Sequence, residues 1–134
     1  MKLFLIPLAV CLAAAADPAQ EVLDLFTNLA ASLSAGNAEE FMGAFDKSMP
    51  GYSKLRDGVT GLTKVGGIES SVEVVRDEGD AQHRTVEVDW RMRIKSNVDA
   101  TASVPRQQTI QCKLEKKGRK WKIVSLDPVG YFAR

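Results

Sequence analysis

From Thr85 to Lys95 the chain alternates without a break, and this alternation limits the possible folds more than any other feature. Val86, Val88, Trp90, Met92 and Ile94 fall on one side; Glu87, Asp89, Arg91, Arg93 and Lys95 fall on the other. A period of two belongs to a β-strand, whose successive side chains point to opposite faces. One apolar and one charged face describe an antiparallel sheet that packs on something on one side and meets water on the other. The stretch from Ile68 to Glu78 reads as a strand before it, joined through a turn at Gly79-Asp80. Gln108 to Lys116 alternates again, with Ile110, Cys112 and Leu114 inward. Trp121 to Leu126 comes after the Lys117-Gly118-Arg119 turn and is stopped by Pro128. Residues 96–106 are polar and contain Pro105, so they are expected to form a loop.

Upstream of Val65 the period is helical. Asp17-Pro18-Ala19-Gln20 is a helix start, with Asp17 as cap, Pro18 at the first helical position and Gln20 at the capping-box place. Val22, Leu25, Phe26, Leu29 and Leu33 make one apolar stripe, and Gly36 ends the helix. Asn37 caps a second helix, with Glu40 three residues on and Phe41, Met42 and Phe45 as its buried face. Pro50-Gly51 breaks the chain. A third helix is expected from about Tyr52, with Tyr52, Leu55, Val59 and Leu62 on one side, against the opposing preference of Gly58 and Gly61.

The first residues read differently. Met1-Lys2, the apolar run Leu3 to Leu12, and Ala13 to Ala16 are the three regions of a cleavable secretory signal, with the cut expected before Asp17. The apolar run is well short of the roughly 20 residues needed to span a bilayer. Cys11 offers a second reading, a lipid-bearing cysteine, but Val10 fits poorly in front of it. Export to a bacterial periplasm or beyond the cell is therefore expected. The remaining chain, residues 17–134, has the length of one domain and buries enough surface to need no metal or disulfide. The whole chain carries 18 basic and 17 acidic residues, and losing Lys2 leaves the two signs balanced. That balance argues against a nucleic-acid binder, which shows a basic excess. Cys112 is left as the one cysteine, a small buried apolar residue with no partner for a disulfide and no zinc spacing.

Three helices succeeded by about four strands in a meander indicate the α+β class, with the helices on the apolar face of an antiparallel sheet. With Ala35-Gly36-Asn37 after a long first helix, Phe41 and Phe45 in a short second one, Met49-Pro50-Gly51-Tyr52 opening a third, and a closing Gly118-Arg119-Lys120-Trp121-Lys122-Ile123-Val124-Ser125-Leu126, this pattern resembles the nuclear transport factor 2-like (SnoaL-like, cystatin-like) superfamily. The resemblance covers residues 17–134. It implies a cone: a curved sheet wrapped around the helices, with a deep apolar pocket between them. It implies little about function, because members of that superfamily include isomerases, dehydratases and proteins without catalysis.

An isomerase of this type needs a pocket carboxylate as base and an oxyanion donor opposite. The inward strand positions hold neither carboxylate nor histidine, and parity puts Glu87 and Asp89 on the wet face. Asp46 as base with Tyr52 as donor is the remaining catalytic pair, against the plainer reading of a turn residue and a core aromatic. Asp127 reads as a turn residue, Tyr131 lies in the tail, and His83 is expected to be an exposed strand-end residue. No cofactor is expected. The leading expectation is an exported, non-catalytic domain holding a small apolar ligand or a protein partner in the cone, with Tyr52, Trp90, Met92 and Trp121 as contacts. A proton-transfer enzyme using Asp46 is the alternative, and a scaffold acting through the charged sheet face is the third. That face would suit a monomer or a weak homodimer.

Overall fold

The computed structural model describes residues 17–65, 67–95 and 103–133. The expected signal segment, Cys11 within it, Gly66 and residues 96–102 of the expected loop lie outside the described residues. Among the described residues three helices come first: α1 (Pro18–Ser34), α2 (Ala38–Met42) and α3 (Tyr52–Val65). Four strands come next, β1 (Ile68–Gly79), β2 (His83–Lys95), β3 (Ser103–Lys117) and β4 (Lys120–Asp127), and then a short 3-10 turn, Val129–Phe132. The sheet is an antiparallel meander in the order β1-β2-β3-β4.

The caps form as expected, with different partners. The Asp17 side chain accepts the Ala19 N–H at 3.2 Å, and Asn37 accepts that of Glu40 at 3.0 Å. Neither return bond of a capping box is made. Gln20 donates forward to Asp24 at 2.9 Å, and Glu40 accepts the Ser32 hydroxyl at 2.7 Å, which ties α2 to α1. Past α2 the chain runs briefly beside β4. The Ile123 N–H donates to the Ala44 carbonyl and the Asp46 N–H to the Ile123 carbonyl, both at 2.9 Å. This bridge covers part of an otherwise open sheet edge and fixes where Asp46 can be.

Two strand expectations change. β3 begins at Ser103, so Pro105 lies inside a strand, opposite Arg93, and not in a loop. β4 pairs with β3 only from Gln111 onward, which leaves the other side of Pro105 unpaired, where a residue without an N–H breaks no ladder. In β1 the register slips between Val74 and Arg76. Val75 is the extra residue of this bulge, and it turns Asp77 to the helix side, opposite Val86.

The expected cone is not formed. The sheet is open and not strongly curled: β1 and β4 are its two edges and do not meet. Its helix-facing side is filled. Val86, Val88, Trp90, Ile110, Cys112 and Leu114 are buried there against Val22, Phe26 and Leu33 of α1 and Leu55, Val59 and Leu62 of α3. The C-terminal 3-10 turn completes the filling. The Phe132 ring lies edge-on to Trp90 at 4.9 Å and 5.4 Å from Phe41, while Phe26 and Phe41 each meet Trp90 at 6.2 Å. The Tyr131 hydroxyl donates to the Trp90 carbonyl at 2.9 Å, and the Arg106 guanidinium donates to the carbonyls of Tyr131 (2.6 Å) and Ala133 (2.5 Å). Burial pushes the Tyr131 phenol up to about 12.

Candidate functional site

With the interior occupied, room for a ligand lies in open grooves on the surface. One groove, of about 820 Å³, has four walls. α2 contributes Ala38, Glu39 and Met42, and the chain after it Gly43, Phe45, Asp46 and Lys47. Tyr52, Arg56 and Thr60 come from α3, and Lys117 and Lys122 from the β3–β4 hairpin. Tyr52, Arg56 and Thr60 are four apart, so they form one stripe along α3. Met42 and Phe45 are buried and make an apolar floor.

Asp46 and Tyr52, paired by the sequence, do line the same groove. Asp46 is heavily engaged there. Its Oδ1 accepts the Ser48 hydroxyl at 2.6 Å and the Ser48 N–H at 2.8 Å, and its Oδ2 meets the Lys117 ammonium at 2.9 Å. The Lys117 ammonium, helped by the two Ser48 donors, holds the carboxyl well below the usual carboxylate range; Asp46 in turn raises Lys117. Lys122 reaches across to the carbonyl of Gly43 at 2.6 Å. It also borders a second groove, of about 530 Å³, between α1, α2 and β4, so its side chain stands between the two.

The other expected contacts are placed elsewhere. Trp90 is fully buried, and its indole N–H donates to Ser70 at 2.8 Å. Met92 is buried and borders a third groove, of about 610 Å³, over β1, β2 and β3. Trp121 lines the second groove; its indole N–H donates to Glu21 at 3.0 Å, and Lys116 meets the same oxygen at 3.1 Å. These two donors lower the Glu21 carboxyl. His83 is exposed at the start of β2, where its N–H donates to Asp80. Cys112 is buried, which pushes its thiol up to about 12.

Sequence reasoning did not single out Arg56, Lys47, Lys117 or Lys122 as groove residues. The fourfold spacing from Tyr52 to Arg56 carried a signal; the lysines are brought in by tertiary contacts. It also missed Asp77, which the bulge turns inward to pair with Arg84 at 2.7 Å, both side chains being nearly buried. Among the described residues no group of three His, Cys, Asp or Glu side chains could hold a metal ion, and no helix is long and apolar enough to cross a membrane.

No protein-family model matches the chain, and no curated protein sequence is similar to it. Solved structures are. A Mycobacterium tuberculosis protein of unknown function superposes with a TM-score of 0.69 at 14% identity, over 81% of this chain and 68% of that one. A protein named for scytalone dehydratase, from Novosphingobium aromaticivorans, gives 0.67 at 11% identity, over 81% and 80%. A nuclear transport factor 2-like protein of unknown function from Shewanella oneidensis gives 0.62 at 11% identity, over 82% and 97%. At such identities the likeness is one of fold: the described residues adopt the fold shared by nuclear transport factor 2-like, SnoaL-like and cystatin-like proteins.

Proposed function

We propose that this domain binds a small, largely apolar molecule in the groove between α2, α3 and the β3–β4 hairpin, without proton-transfer chemistry. The observation that carries the reading is the state of Asp46. A catalytic base works best with a pKa near the operating pH. Asp46 is instead engaged by one ammonium and two donors from Ser48, all of which stabilise the charged form and weaken it as a base. The same bonds make it a good wall. They hold the chain after α2 against the hairpin and keep the floor of Met42 and Phe45 beneath a fixed rim. Shape and apolar contact then supply affinity, with the half-buried Tyr52 offering a flat face and a hydroxyl.

Native mass spectrometry of the protein purified gently from its own host tests this. Extra mass released on denaturation, and lost in Tyr52→Ala, is expected. A bare polypeptide, or an adduct indifferent to Tyr52→Ala, sinks the proposal. We also propose that the domain acts after export. The mature chain should begin at Asp17, and an intact Met1 on the protein recovered from cells would refute this.

A further inference from the structure

We infer that the molecule held in this groove is a single-chain amphiphile with an anionic head, a carboxylate above all, and that Arg56 and Lys47 bind the head. The inference rests on the reading of the groove as a binding site and adds the ligand's charge. The rim carries four cations, Lys47, Arg56, Lys117 and Lys122, against two carboxylates, Glu39 and Asp46. Asp46 and Lys117 neutralise each other at 2.9 Å, so neither adds to the field the ligand meets. Among the lining residues Lys47, Arg56 and Lys122 then face Glu39, with Asp57 beside Arg56 and Glu115 beside Lys117 outside the groove.

Their engagements differ. Lys122 gives a hydrogen bond to the Gly43 carbonyl at 2.6 Å and is held in the wall. Arg56 has only a loose contact at 3.8 Å with Asp57, both side chains being more than half exposed, and such a pair is worth little. Its guanidinium is open to a carboxylate, which it matches in a two-pronged geometry. The first turn of α3, where Tyr52 borders the groove, has no acidic residue to oppose an anion at that helix end. Below the charged rim the floor is Met42 and Phe45, which suits a hydrocarbon chain. A basic edge over an apolar floor selects an anionic amphiphile over a neutral oil or a polar anion.

Decanoate and 1-decanol, which differ in the head alone, separate the two layers of the claim. Binding of each to the mature chain is measured by calorimetry at low salt, and the site is mapped by amide chemical shifts. Decanoate should bind about tenfold more tightly than decanol, as expected for one charge-assisted contact at a partly exposed site. The preference should shrink with added salt. In the double variant Arg56→Gln, Lys47→Gln, which alters only exposed side chains, decanoate should fall to the level of decanol while decanol is unchanged. Shifts should centre on Met42, Phe45 and Tyr52. Equal binding of the two ligands, or a preference that survives in the variant, overturns the anionic head and leaves the groove standing. Binding of neither, or shifts centred elsewhere, overturns the groove itself.

Discussion

At the scale of single residues, Asp46 shows how position changes chemistry. The sequence placed it at the end of α2, with Phe45 on that helix's buried face; α2 instead stops at Met42, and both residues lie in the chain that bridges to Ile123, where Asp46 lines the same groove as Tyr52. Whether it was a base or a turn residue depended on partners that local sequence does not reveal. Ser48 is two residues away, but Lys117 reaches it only because the bridge between Ala44–Asp46 and Ile123 brings the hairpin alongside. The carboxyl is held low chiefly by Lys117 and then by Ser48. Lys117→Met should therefore raise the Asp46 pKa towards the ordinary value near 4 without reaching it, since the Ser48 bonds remain. Carboxyl carbon shifts tracked across an acid titration would report it. An Asp46 that titrates the same in the variant would remove Lys117 as the cause. Trp90 carries the opposite lesson. Its inward parity was legible, but its neighbours were not, and an inward tryptophan looks the same in sequence whether it lines a pocket or fills one.

At the scale of elements, periodicity placed the three helices and four strands because each has one face in the core. It failed where a rule of local sequence was relaxed by an unpaired neighbour or a distant contact. Pro105 read as a loop because its open side, facing no β4 residue, is a property of register. The Val75 bulge reversed the parity of β1 beyond it, which hid Asp77. Gly58 weakened the reading of α3, yet it has a reason: a Cβ there would lie 3.2 Å from the Ala133 backbone, because the C-terminal turn packs on that helix. That turn is the element the sequence least announced, since Val129–Phe132 is too short for a period. It seats Phe132, with no exposed surface, among Trp90, Phe41 and Tyr131. Phe132→Ala should cost about 3–5 kcal/mol, the range for emptying a buried aromatic site. Urea unfolding would measure it. A loss below about 1 kcal/mol would mean that the turn does not close the core.

At the scale of the whole molecule, three carboxylates are held below their usual range, two of them fastening parts far apart in the chain and the third closing a turn. Glu21 on α1 takes Trp121 and Lys116 from β4 and β3; Asp46 takes Ser48 and Lys117; Asp80 accepts the N–H groups of Gln82 and His83 in the β1–β2 turn. A carboxylate with a folded-state pKa below its unfolded one adds stability above the unfolded value and loses it as pH falls through the folded one. The ordinary values are 4.5 for Glu21 and 3.8 for Asp46 and Asp80. The contribution of these groups should therefore be whole at neutral pH and decline as the solution is acidified below about 4.5. All three lie at the surface, so each is a modest tie, weakened by salt. Their number and spread matter more than the strength of any one. They join α1 to the hairpin, the hairpin to the chain before α3, and β1 to β2; of the three, only the Asp46 tie lies in the wall of the groove. A triple variant, Glu21→Gln, Asp46→Asn, Asp80→Asn, should be less stable than the parent at pH 7, and its urea midpoint should fall less steeply on acidification. Curves that fall in parallel from pH 7 to 3 would assign acid sensitivity to other carboxylates. Convergence of the two curves at low pH would show that the open sheet and its helices are held in register by charges at their margins as well as by the filled core between them.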